Sequence, residues 1–166
     1  MTLTLAAVGA VVAAVLELTL WPYLTVAGAH PHFVLVYVVI LAIVLGLDAG
    51  MTAAFVGGLM IDLLAPRPLG STAFALLICA GMAVAMARLL VQVRYIAPTI
   101  IVFLLSFAYS IIVAALYDAL GGSVTITDPI PTLLPGAVYD AVIATMVGPI
   151  AIALRMRRLE QERVDW

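Results

Sequence analysis

The sequence has no lysine, a single cysteine and little charge of either sign, since charged residues make up only 10% of its 166 positions. One cysteine, Cys79, excludes an internal disulfide and any metal cluster built on several cysteines. A formal net charge of -2 provides no basic surface of the kind that binds nucleic acid. By contrast, 66% of the residues are hydrophobic and the mean hydropathy is +1.29, which is too much apolar surface for a water-soluble core of this size. The composition therefore indicates a polytopic membrane protein.

Six apolar segments predict six membrane-spanning helices, and hence an all-α transmembrane bundle in one integral membrane domain covering residues 1–166. The predicted spans are 3–20, 33–47, 51–64, 71–90, 99–120 and 132–154. The second and third are short, because each would rise only about 20 Å against a hydrocarbon core of ~30 Å. We expect them either to be buried by longer neighbours or to form a re-entrant hairpin, with a tight turn at residues 46–50.

The first segment has a rival interpretation as a signal peptide. Residues 27–29, Ala-Gly-Ala, resemble a cleavage site. However, the positively charged start of a signal peptide is missing, and the apolar run is long and carries Glu17. We therefore interpret residues 3–20 as a retained span.

The arginines predict the orientation, because positive charge concentrates on the cytoplasmic side of membrane proteins. An even number of spans places both termini on one side. If that side is the cytoplasm, the outside carries only Arg67. The inside then carries Arg88, Arg94, Arg155, Arg157, Arg158 and Arg163. The sequence therefore predicts a multi-pass protein with both termini in the cytoplasm.

Small residues recur at steps of four in several spans. Helices in lipid associate where small side chains let two backbones approach closely. In the third span such a stripe ends in a carboxylate, and in the last span a carboxylate lies within the stripe. We predict helix-packing or partner contacts for Gly50, Ala54, Gly58, Asp62, Gly70, Gly136, Asp140 and Gly148.

The predicted topology also brings acidic residues into one leaflet. Asp140 lies about two turns inside its span, where a charge is most costly, so we expect it to be neutral or paired with another protein group. The other three acids are equally consistent with the interfacial ends of helices. We predict that Arg67, or a cation of a partner protein, neutralises part of an outer-leaflet charge cluster of Glu17, Asp62, Arg67, Asp118 and Asp140.

The two histidines flank Pro31 at the start of the second span. Residues at i and i+2 do not share a helical face, so His30 and His32 are interpreted as interfacial residues with no metal between them and no acid–base partner nearby. The sequence contains no Walker loop, nucleophile elbow, HExxH or CxxC motif. It therefore predicts no catalytic, cofactor-binding or metal-binding residues.

The order of several short motifs resembles one known family. These motifs are a His-Pro-x-Phe helix start at 30–33, Gly-x-x-x-Asp-Leu at 58–63, Leu-Gly at 69–70, a polar residue nine positions before Pro149, and a basic end to the last span. Together they cover nearly the whole chain and resemble MreD, a family of rod shape-determining membrane proteins. MreD relatives often have asparagine where this chain has Asp140, which leaves the protonation state of that residue open.

The resemblance implies a non-catalytic subunit of the machinery that elongates the lateral cell wall of rod-shaped bacteria, in the cytoplasmic membrane. The partners it implies are MreC, the glycosyltransferase RodA, its class B penicillin-binding transpeptidase and the MreB filament, besides membrane lipid. It implies no cofactor, and self-association stays open. The alternative is a substrate-binding membrane subunit like the S-components of vitamin transporters, which MreD resembles in general build.

Overall fold

The computed structural model describes residues 2–24, 30–65, 68–90, 96–119 and 129–164, with the side chains of the last helix described between 133 and 156. The described residues form six α-helices and a short 3-10 turn, Trp21–Tyr23. The helices are α1 (Thr2–Leu20), α2 (Phe33–Leu45), α3 (Leu47–Leu64), α4 (Ser71–Leu89), α5 (Ala97–Ala119) and α6 (Pro129–Val164). The predicted all-α bundle of six helices is confirmed.

Five of the six helices are long and apolar enough to cross a membrane. They are α1, α3, α4, α5 and the part of α6 from Leu133 to Met156, and the exception is α2, with 13 residues. Val8 and Val12 on α1 and Met146 on α6 are more than half exposed, as expected for helices whose outer faces meet lipid. The chain is therefore a multi-pass membrane protein.

The third helix begins four residues earlier than the sequence predicted, at Leu47 instead of Met51. Only Gly46 leaves the helical conformation between α2 and α3, with φ 100° and ψ 178°. Asp48, which the sequence suggested as part of a turn, lies in the first turn of α3, where the helix dipole favours a carboxylate. As a result α3 has 18 residues and is not a short helix.

The short helix α2 lies at the centre of the bundle. Eight of its 13 residues are buried, and it contacts each of the other five helices. Gly46 reverses the chain, so that α3 returns along α2 with Gly50 against Ala42 and Gly57 against Val34. Because 13 residues cannot cross the hydrocarbon core, the polar backbone groups at the ends of α2 need protein neighbours. It is thus buried by longer helices, as one arm of a helical hairpin.

The last helix is longer than the predicted span of 132–154. It includes Pro135 and Pro149 and continues to Val164, past the end of its apolar segment. Within the described residues it packs mainly on α5 and on α2. The contact with α2 positions the site described next.

Candidate functional site

One buried carboxylate joins three helices. Asp140 on α6 is fully buried, and its Oδ1 accepts a hydrogen bond of 2.7 Å from the backbone N–H of His32, just before α2. Its Oδ2 lies 2.8 Å from Nδ1 of the His32 ring and accepts a hydrogen bond of 2.6 Å from the Ser106 hydroxyl of α5. We call His32, Ser106 and Asp140 the Asp140 clasp.

The donors in the clasp suit an ionised carboxylate. A carboxylate without its proton only accepts hydrogen bonds, and here a backbone N–H, a hydroxyl and an imidazole nitrogen all face Asp140. The His32 ring also makes edge contacts with the rings of His30 and Tyr109, at centroid distances of 4.9 and 5.2 Å. These ring contacts fix the orientation of the imidazole toward Asp140.

A second carboxylate binds the same end of α2. Glu17 of α1 is 4% exposed, and its Oε2 accepts a hydrogen bond of 2.9 Å from the backbone N–H of Val34. The first N–H groups of any helix lack partners within the helix, and burying them without partners is costly. Since His32 provides no side-chain cap of its own to α2, carboxylates from α1 and α6 supply the acceptors.

The third buried carboxylate repeats this arrangement at α4. Asp62, near the end of α3, is 2% exposed and accepts hydrogen bonds from the backbone N–H groups of Gly70, Thr72 and Ala73 at 2.9 to 3.4 Å. Gly70 precedes α4 in the left-handed conformation, with φ 90°, and has no side chain to cap the helix. Each of the three buried acids therefore binds the start of a neighbouring helix.

The predicted outer-leaflet cluster is thus only partly brought together. Glu17 and Asp140 meet at α2, Asp62 lies at α4, and Asp118 is exposed near the end of α5. Arg67 lies outside the described residues, so its neutralising role stays a prediction. In the described part of the chain, the groups that hydrogen-bond to the buried acids include helix N–H groups, a hydroxyl and a histidine.

The prediction that His32 has no acid–base partner nearby was wrong, since its ring lies against Asp140. The sequence did not reveal the pair because Asp140 lies 108 positions away along the chain. A signal was nevertheless present, since the predicted topology placed Asp140 in the same leaflet as the start of the second span. Among the residues that the structure describes, no three histidine, cysteine or acidic side chains are grouped so that they could hold a metal ion.

Three of the small residues named from the sequence, Gly50, Gly58 and Gly148, lie at close helix contacts. Gly70 does not, because a Cβ built there would meet nothing within 4 Å. A Cβ added to Gly58 would lie 2.6 Å from the backbone nitrogen of Ala73 on α4, and one added to Gly50 would lie 2.6 Å from Cβ of Ala42. Gly148 meets Pro98 in the same way, at 3.0 Å. Ala54 and Gly136 are also buried. The stripe on α3 therefore faces two neighbours, α2 at one end and α4 at the other.

The fold and the site define a polytopic membrane protein whose buried polar groups join one helix to the next. A family model described as rod shape-determining protein MreD matches residues 1–158. The chain belongs to the MreD family, which confirms the resemblance drawn from its motifs. Neither a curated protein nor a solved structure gave a match to the chain.

Proposed function

We propose that this rod-shape-determining membrane protein is a non-catalytic subunit of the cell-wall elongation complex, which binds MreC within the membrane. Through MreC it is linked to RodA, its class B penicillin-binding transpeptidase and the MreB filament. The observation that carries the proposal is the family match over residues 1–158. Such a subunit works by presenting helix surfaces to its partners.

The Asp140 clasp supports a structural role over a catalytic one. A serine nucleophile is activated by a histidine, which is in turn oriented by an acid. Here the Ser106 hydroxyl donates to Asp140 and not to His32, and Asp140 is fully buried. The same residue types are therefore connected in an order that holds helices together and leaves the hydroxyl unactivated.

Capture from native membranes tests the partners. Tagged protein extracted in mild detergent should recover MreC as a single-span partner, and in smaller amounts RodA with its transpeptidase. An equally tagged, unrelated polytopic protein from the same membranes is the control. Recovery of a bound vitamin without MreC would contradict the proposal and favour the transporter subunit.

A groove on α6 gives that alternative little support. This groove of about 370 Å³ is lined by apolar side chains and one tyrosine: Leu134, Pro135, Val138, Tyr139 and Val142. Small-molecule sites combine apolar walls with several convergent polar groups. A single phenol in an open apolar groove does not meet that requirement.

We also propose that the protein lies in the bacterial cytoplasmic membrane with both termini in the cytoplasm, because six of the seven arginines then lie inside. A cysteine at Ser123, in the segment between α5 and α6 and outside the described residues, should react with an impermeant maleimide in intact spheroplasts. A cysteine at Gln161 should react only after permeabilisation. The parent protein is the control, since its Cys79 is buried. Labelling with the opposite sidedness would reverse the orientation.

A further inference from the structure

The structure assigns to the Asp140 clasp a second property beyond holding three helices together. We propose that it is a proton-responsive latch, which holds the first half of α6 against α2 more tightly when His32 is protonated than when it is neutral. The basis is the 2.8 Å contact between a partly accessible imidazole and a fully buried carboxylate on different helices. The property belongs to the isolated protein and does not depend on a partner.

His32 is the member of the clasp that exchanges its proton with the surroundings. Histidine is the side chain that ordinarily changes charge between pH 5 and 8. The His32 side chain is 15% exposed, whereas that of Asp140 has no exposure. Protons therefore reach the clasp through the imidazole, and the carboxylate responds to the charge that they bring.

Titratable groups from several elements face the start of α2. Asp140 comes from α6 and Glu17 from α1, and both carboxylates attract a positive charge placed at His32. Tyr109 from α5 contributes the edge of a neutral ring. His30 lies beside His32 with a centroid distance of 4.9 Å, and two protonated rings at that distance would repel. These neighbours therefore favour protonation of one histidine of the pair, His32, next to Asp140.

The direction of the response follows from the hydrogen bond between His32 and Asp140. With the ring protonated, this bond joins two opposite charges and is roughly twice as strong as a bond between neutral groups. Raising the pH until the ring gives up its proton in the folded protein removes the positive charge. The full stabilisation is thus present at low pH and is lost as the pH rises.

The contacts along α6 determine which part of this helix separates from α2 when the clasp weakens. Toward its C-terminal end, α6 is held on α5 by the contact between Gly148 and Pro98 and by a 3.1 Å hydrogen bond between the hydroxyls of Thr99 and Thr145. Neither contact involves a group that titrates near neutral pH. Among the described residues, Asp140 provides a polar link from α6 to α2, so weakening the clasp loosens the segment from 133 to 144, which precedes the Thr145 contact.

Hydrogen exchange of the full-length protein in lipid nanodiscs tests the latch. After correction for the intrinsic pH dependence of exchange, the opening equilibrium of peptides covering 133–144 should rise about fivefold between pH 6 and pH 8. The His32→Gln variant keeps a hydrogen-bonding side chain that does not titrate, so its corrected exchange should stay constant. The His30→Gln variant is the matched control and should respond as the parent does.

The proposal is overturned if the parent shows no rise, if His32→Gln shows the parent's rise, or if His30→Gln loses it. Should His32→Gln fail to fold, the parent alone still decides the matter through peptides from α4. A rise limited to α6 and the start of α2 supports the latch, whereas an equal rise in α4 contradicts it. Nuclear magnetic resonance of labelled histidine gives a further readout, because an imidazole of His32 that does not titrate between pH 5 and 8.5 also refutes the latch.

Discussion

Replacing Asp140 with leucine is expected to lower the free energy of unfolding by at least about 3 kcal/mol. Leucine accepts no hydrogen bonds, so the backbone N–H and ring of His32 and the hydroxyl of Ser106 all lose the acceptor that they share. Each buried polar group left without a partner costs about 1–3 kcal/mol. Thermal and denaturant unfolding in detergent micelles measures the loss, and complementation in a rod-shaped host that lacks its own copy should fail.

Two further variants sharpen this experiment. Asp118→Leu removes an exposed carboxylate from the predicted cluster and should leave stability nearly unchanged. Asp140→Asn keeps the shape and one acceptor oxygen but removes the charge. If His32 is charged in the parent, the asparagine variant should lose assembly, and if His32 is neutral it should retain most of it. A leucine variant with the stability and rod growth of the parent would show that the clasp does not hold α6 in place.

The second large effect is expected at Gly58 of α3. A Cβ there would lie 2.6 Å from the backbone nitrogen of Ala73 and closer still to its Cα, and backbone atoms cannot rotate away as a side chain can. Overpacking typically costs about 1–3 kcal/mol, and the four extra carbons of Gly58→Leu should exceed that range by separating α3 from α4. Since Asp62 caps α4 one turn further along, the displacement also strains its hydrogen bonds to Thr72 and Ala73.

The matched control for this prediction is Gly81 on α4. A Cβ at Gly81 would meet only the terminal methyl group of Met51, at an ordinary 3.9 Å. Gly81→Ala should therefore be neutral or gain up to about 1 kcal/mol through helix propensity, whereas Gly58→Ala should already destabilise. Equal melting temperatures for the two alanine variants would mean that the contact between α3 and α4 adjusts freely.

Much of the architecture was predictable because each membrane helix is encoded locally. Length and hydropathy alone placed α1, α4 and α5 within two residues of their observed ends. The start of α3 was not predictable in this way. Glycine and aspartate at 46–50 are typical of a turn, but the same aspartate also suits the first turn of a helix. The first turn of α3 packs on α2, where Gly50 meets Ala42, and a contact of this kind is not visible in local sequence.

The site was predictable in its acids but not in their partners. The free-energy cost of a charge inside the bilayer indicated that Asp140 needs a protein partner or must be neutral. Arg67 or a cation of a partner protein was the expected partner of the acidic cluster, because counting charges considers side chains and overlooks the backbone. The structure uses helix N–H groups for all three buried acids, together with His32 and Ser106 for Asp140. The starts of α2 and α4 lack a side-chain cap, so their first N–H groups need acceptors from elsewhere. Matching these helix starts with the buried acids would have predicted the contacts.

The shortness of α2 has a consequence for how the protein is made. Thirteen residues rise about 20 Å, so α2 cannot cross a ~30 Å core alone, and only Gly46 separates it from α3. We therefore expect the insertion machinery to accept the two helices as one hairpin. Asp140 is synthesised 108 residues after His32, so the start of α2 receives its second carboxylate only once α6 has emerged from the ribosome. Final assembly of the bundle is thus a late step, which waits for nearly the whole chain.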